Sequence, residues 1–252
     1  MTLIVALVGA LLVGLVLGLM GSGGSILTVP VLTYLVGQHE KVAIAGSLAI
    51  VGGISLVASL PYARRALVDW RSVIWFGLPG MAGAWIGAAL SKHVSGAVQL
   101  GAFAALMLVA GVLMLRSAPT EARQGAVARS VIKIGAEGLV VGIVTGFVGV
   151  GGGFLIVPAL LLLGGLPMNH AVGTSLVIIA AKSWAGFAKY VQVLDELHLE
   201  LDWQVIGLFV SAGIAGSFGG AALSSRVPQV ALKKIFAVFL FVVAGYIVLQ
   251  LR

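Results

Sequence analysis

Long apolar stretches follow one another along this chain with almost no charge inside them, and that pattern constrains the fold more than any other feature. They cover residues 3–20, 25–36, 42–61, 72–91, 96–115, 132–148, 153–165, 170–190, 203–224 and 229–250. A helix crosses the hydrocarbon core of a bilayer with about 20 apolar residues, and six of the stretches reach that length. The pieces 25–36 and 153–165 are short, and each follows a glycine cluster. The runs are continuous, whereas a membrane β-barrel needs alternating polar and apolar residues, so helices are expected. Charge agrees: 15 Lys+Arg and 8 Asp+Glu amount to 9% of 252 residues, against about 25% in an ordinary soluble domain. That is too little charge to clothe a soluble surface, which excludes a soluble enzyme, a nucleic-acid binder and a disordered chain. The formal net charge of +7 is then better explained by cytoplasmic loops that retain Lys and Arg than by a nucleic-acid partner. No basic segment precedes the first run, so a cleaved signal peptide is not expected. The chain has no Cys, which removes disulfides, thiolate metal sites and a Cys nucleophile.

The sequence repeats itself. Residues 13–50 lie over 141–178 without a gap at an offset of 128, placing GLMGSGGSILTVPVL (18–32) over GFVGVGGGFLIVPAL (146–160). Beyond residue 190 the offset becomes 133, so that Asp69-Trp70 matches Asp202-Trp203, and Gly83, Gly87 and Ser91 match Gly216, Gly220 and Ser224. Chance apolar similarity does not align glycine clusters, prolines and Asp-Trp pairs together, so the chain reads as a duplication. Residues 1–115 form the first membrane repeat, 116–130 a polar cytoplasmic linker and 131–252 the second repeat.

Charge orients the two repeats. Loop 62–71 carries Arg64, Arg65 and Arg71 against Asp69, whereas its counterpart 189–202 carries Lys189 against Asp195, Glu196, Glu200 and Asp202. Loop 92–95 has Lys92 alone, whereas 225–234 has Arg226, Lys233 and Lys234. Short loops rich in Lys and Arg stay on the cytoplasmic side. This places 62–71, 116–133 and 225–234 inside, and 92–95, 189–202 and both termini outside. Matching loops then face opposite sides, so the repeats are expected to be inverted. In secondary transporters of that build the substrate site lies near the midplane at the repeat interface. The expected fold is an all-α polytopic membrane protein. Each of its two inverted repeats contributes a glycine-broken hairpin or re-entrant segment plus three spanning helices.

Gly21-Ser22-Gly23-Gly24-Ser25 and Gly149-Val150-Gly151-Gly152-Gly153 interrupt apolar runs at matching places. Irregular backbone at membrane depth is tolerated only inside protein or beside a water-filled cavity. A helix restarting there would aim unbonded N–H groups at that cavity, a ready anion site. Close helix packing is the plainer reading of such glycines, but two matched clusters, each heading a short apolar piece, favour the site. Pro30 and Pro158 are read as ending or kinking these pieces. Ser47 and the pair Thr174-Ser175 follow shortly after and are candidate hydroxyl donors, with bonding to their own helix as the alternative. Lys182 stands near the middle of 170–190, where its repeat partner is Ile54. An ionisable side chain at that depth is a functional candidate, here for an anion path, with snorkelling to an interface as the alternative.

The acids sit in loops or turns except Glu137, about a turn inside its span and within reach of Lys133, which argues against a cation site or proton relay made of midplane carboxylates. His39, His93, His170 and His198 form no metal-spaced cluster, and no HExxH pair occurs. No catalytic residue, metal or cofactor is expected. The Gly83, Gly87, Ser91 and Gly216, Gly220, Ser224 stripes read as tight helix contacts, and Trp70 and Trp203 as interfacial aromatics.

The motif GxxGxGGxxxxVPxL, present at 18–32 and 146–160, with Ala-Val-Gly-Thr-Ser-Leu (171–176) after the second copy, resembles the TauE/SafE family of sulfite exporters and related anion permeases. The resemblance extends over nearly the whole chain. It implies a transporter in the inner membrane for a small sulfur-containing anion such as sulfite, sulfoacetate, thiosulfate or another organosulfonate. Two positions depart from the pattern and bear on the substrate: Gly46 lacks the hydroxyl of its counterpart Thr174, and Lys182 replaces an expected small or hydroxyl residue. The expected function is secondary transport of such an anion by alternating access. An anion channel, or a permease for another small anion, is the alternative on the same scaffold. The expected site comprises Gly21, Ser22, Gly23, Gly24, Ser25, Ser47, Gly149, Gly151, Gly152, Gly153, Thr174, Ser175 and Lys182. The expected partners are the anion and membrane lipid, with no nucleic acid. A homo-oligomer and coupling to a proton or another ion stay open.

Overall fold

The computed structural model describes residues 2–20, 24–116, 131–149, 153–160, 166–224 and 229–250. Among them no strand occurs, as expected where backbone groups surrounded by lipid must bond within their own segment. Helices α1 (Thr2–Met20), α2 (Gly24–Pro30), α3 (Glu40–Arg64), α4 (Trp70–Ser72), α5 (Leu78–Leu90) and α6 (Gly96–Arg116) build the first repeat. Helices α7 (Val131–Val148), α8 (Gly153–Pro158), α9 (Met168–Glu196), α10 (Trp203–Ser224) and α11 (Gln229–Gln250) build the second. Six described helical stretches are long and apolar enough to cross a membrane: Glu40–Arg64, Trp70–His93, Gly96–Leu113, Val131–Val148, Asn169–Glu196 and Trp203–Leu223. Outward-facing side chains such as Val8, Leu78, Ile132, Val242 and Leu249 are apolar, which suits a surface bathed in lipid. The chain is therefore an all-α polytopic membrane protein.

Local chemistry sets the helix ends. The glycine clusters separate α1 from α2 and α7 from α8. Proline closes each short helix, because it lacks an N–H and its ring crowds the carbonyl four residues back. Past Pro30 the backbone widens into a π-helical turn, Val31–Leu35. The amide of Gln38 donates to Leu32 O at 3.0 Å, and at the matching place Leu166 N donates to Leu160 O at 3.2 Å. Both matched aspartates cap helix starts: Asp69 Oδ2 accepts from Ser72 N at 3.1 Å, and Asp202 Oδ1 from Val205 N at 3.0 Å. The tryptophans that follow them are exposed.

Packing exchanges elements between the repeats. Helix α1 lies along α10, and α7 along α5, while α6 pairs with α11. A Cβ at Gly14 or Gly18 would strike the backbone of Gly213 or Ser217, and one at Gly142 or Gly146 the backbone of Gly80 or Ala84. These four contacts correspond position by position under the repeat register. The Gly83, Gly87 stripe meets α7, and the Gly216, Gly220 stripe meets α1, so both stripes serve contacts within this chain.

At the centre α3 packs on its counterpart α9. Gly173 near the start of α9 meets Tyr62 near the end of α3, whereas Gly186 farther along α9 meets Leu48 nearer the start of α3. The two matched helices therefore run antiparallel.

Candidate functional site

Gly21, Ser22, Gly23, Gly151 and Gly152 lie outside the described residues. Gly24 and Gly153 begin α2 and α8. Gly149, just past the last residue of α7, adopts φ +76°, a conformation that favours glycine. A Cβ there would collide with Ile44 Cγ2 on α3. The Gly149 amide donates to Thr145 O at 2.9 Å, which completes the helix. Its carbonyl accepts from Ser47 Oγ at 2.6 Å. A hydroxyl of the first repeat thus secures the backbone at the point where the second repeat leaves its helix.

This contact changes the reading of the hydroxyl candidates. Ser47 Oγ lies 2.8 Å from Ile44 O as well as 2.6 Å from Gly149 O. A serine hydroxyl has one proton to donate, so that proton is engaged within the protein. Thr174 Oγ1 accepts from Asp69 N at 2.8 Å and ties the start of α9 to the loop before α4. Ser175 Oγ donates to Val172 O at 2.8 Å. Ser25 is fully buried.

Lys182 is 1% exposed. Its Nζ donates to Thr145 Oγ1 at 3.1 Å, and no carboxylate among the described residues pairs with it. Its chain runs past Gly80, where a Cβ would lie 3.0 Å from Lys182 Cδ. Lys182 therefore points from α9 toward α5 and α7 and does not snorkel to a surface. Its counterpart Ile54 meets Gly213, the counterpart of Gly80, while Leu17, fully buried, occupies the place matching Thr145. One side of the molecule holds a lysine, a threonine and a glycine where the other holds an isoleucine, a leucine and a glycine.

A second polar cluster is not legible from the residues alone. Lys41 Nζ, at the start of α3, donates to Ser91 O at 2.5 Å and to Gln99 Oε1 at 2.5 Å. Gln99 Nε2 donates to Tyr190 OH at 2.7 Å and to Phe147 O, and Tyr190 OH donates to the same carbonyl at 2.9 Å. Lys41 is nearly and Gln99 and Tyr190 fully buried. The cluster grips the last turn of α7, two residues before Gly149. Lys41 stands beside a predicted turn, the position of an ordinary interfacial lysine, so only the packing of α6 and α9 over it revealed a buried group. Nearby, Lys92 and Glu196 approach to 3.4 Å, which brings the loops after α5 and α9 to one end of the bundle.

Comparison with known proteins agrees with the residue-level picture. The chain matches the family described as sulfite exporter TauE/SafE over residues 6–247. It is 34% identical to a probable membrane transporter protein of Xylella fastidiosa over 98% of this chain and 95% of that protein. It is 26% identical to the probable membrane transporter protein YunE of Bacillus subtilis, over 99% and 98% of the two chains. No solved structure matches it.

Proposed function

The chain belongs to the sulfite exporter TauE/SafE family, and from that premise we propose that it carries a small sulfur-containing anion across the inner membrane by alternating access. That it is a membrane transporter and not an enzyme follows from the family and from its relatives. The anion and the cycle are our reading. Lys182 carries it: a lysine buried at mid-helix with a hydroxyl as partner and no carboxylate among the described residues. An uncompensated ammonium in a low-dielectric interior is costly, and a small anion arriving beside it supplies the missing charge. We assign Gly24, Ser25, Gly149 and Gly153, which border the two glycine breaks, to the same site. The antiparallel packing of α3 on α9 supports inverted repeats that exchange roles as access alternates. Both termini are assigned to the outer side.

The test is a binding screen of the purified protein by thermal shift, over sulfite, sulfate, thiosulfate, sulfoacetate, taurine and carboxylate controls, followed by flux in proteoliposomes. Stabilisation by one or more sulfur oxyanions, with saturable flux, is the expected result. Stabilisation by none of them removes the substrate class. Voltage-driven currents faster than any alternating-access cycle would make the protein a channel.

A further inference from the structure

Five of the buried serines among the described residues follow a simple rule. Ser47, Ser59, Ser91, Ser175 and Ser217 each donate to the carbonyl three residues back, at 2.7–2.8 Å. This is the usual way a helix satisfies such a hydroxyl without outside help. Two buried serines break the rule. Ser55 Oγ on α3 and Ser183 Oγ on α9 have no hydrogen-bond partner among the described residues, although both residues are fully buried.

The two exceptions are the same residue of the duplication, since 55 and 183 differ by the repeat offset of 128. They sit near the midpoints of the 25-residue α3 and the 29-residue α9, where these antiparallel helices cross. Ser183 faces α3, for a Cβ at Gly52 would lie 3.4 Å from Ser183 Cβ. Ser55 is one turn from Gly52 and so shares its side of α3. Leaving one buried hydroxyl unbonded costs about 1–3 kcal/mol, and here both copies carry that cost at one level of the membrane. Lys182, the residue before Ser183, brings an amino group to the same level of α9.

We infer that Ser55 and Ser183 are paired hydroxyl donors to the transported oxyanion at the crossing of α3 and α9. This assignment rests on the anion-transport reading and deepens it. It also displaces Ser47 from the candidate hydroxyl donors, because the Ser47 proton is engaged by the backbone. Hydroxyls fit this role well. They donate to an oxyanion, hydrogen bonds to a charged acceptor are strong in a dry site, and neutral donors let the anion leave again. The inversion that brings the two serines together lets either repeat hand the anion to the other.

The experiment uses the full chain in detergent, with sulfite and sulfate as probes, followed by calorimetry and by melting without ligand. Ser55→Ala and Ser183→Ala are each expected to weaken binding about tenfold, and the double variant about a hundredfold, while the ligand-free protein melts no lower than the original. Ser59→Ala, whose hydroxyl donates to Leu56 O, is expected to leave affinity unchanged and serves as the control. Ser55→Thr keeps a hydroxyl and is expected to recover most of the affinity lost in Ser55→Ala. Unchanged anion affinity in the double variant, with the original protein binding normally, overturns the serine assignment and leaves the transport reading standing. No binding of either probe, or of any anion in the wider screen, by the original protein overturns both. Stabilisation by sodium alone that disappears in the double variant, with anion affinity intact, shows hydroxyls accepting from a cation and also overturns the assignment.

Discussion

The two repeats share their glycine contacts but not their polar interiors. At the end of α7, Lys41, Gln99 and Tyr190 converge on the Phe147 carbonyl, and Ser47 holds Gly149. Under the repeat register the residues matching Lys41, Gln99, Tyr190 and Phe147 are Asn169, Leu232, Tyr62 and Leu19, so the other copy has an asparagine in place of the cation and a leucine in place of the glutamine. Likewise Lys182 and Thr145 stand where the first repeat has Ile54 and Leu17. Backbone-to-backbone packing through glycine tolerates no divergence, because a single Cβ would drive two helices apart. Side chains around it were free to differ. A transporter built from two copies needs the shared contacts to move as a unit, whereas unequal polar groups make its two sides energetically distinct.

Gly149→Ala should show the largest effect. It forces a side chain into φ +76° and against Ile44; left-handed strain alone costs about 1–2 kcal/mol, and the collision adds to it. Gly37 has φ +81° but nothing within 4 Å of a Cβ, so Gly37→Ala carries the strain without the collision. Melting in detergent should fall markedly further for Gly149→Ala. Equal losses would mean that the grip of α3 on the break contributes nothing.

Next comes Lys41→Met, which takes the donor from Gln99 Oε1 and leaves the Ser91 carbonyl with the Val94 amide alone; about 1–3 kcal/mol of stability is expected to go. Asn169→Met, at the matching position, should change little. If both variants melt alike, the polar asymmetry has no energetic meaning.

Lys182→Met should weaken anion binding about tenfold, or about 1.4 kcal/mol, while Ile54→Met leaves it within error. Calorimetry that finds Lys182→Met unchanged returns this lysine to a purely structural role with Thr145.

The smallest effect belongs to Lys92→Ala. Both partners of its pair with Glu196 are substantially exposed, at 39% and 52%, and such pairs contribute about 0–1 kcal/mol. A larger loss in melting would point to a role for this end of the bundle beyond holding two loops together.

The sequence by itself determined that the chain is a helical membrane protein, and it pointed to a duplication and to the glycine stripes along which helices meet. Those conclusions rest on local or one-dimensional signals: apolar runs of bilayer length, glycines that break them, and a motif seen twice. It also placed Lys182 at depth and named Ile54 as its counterpart. Only the tertiary structure decided which hydroxyls are engaged. Ser47 reads as a donor until Gly149 O, 102 residues away, is found 2.6 Å from it. Thr174 proves to receive the Asp69 amide. Ser55 and Ser183 were legible as a repeat pair, but their lack of partners was not, because satisfaction of a polar atom depends on what every neighbouring helix brings to it. Lys41 was hidden for the same reason. A hydrogen bond is decided within about 3 Å, and that distance is set by how the helices of two repeats pack, which no run or spacing along one chain records.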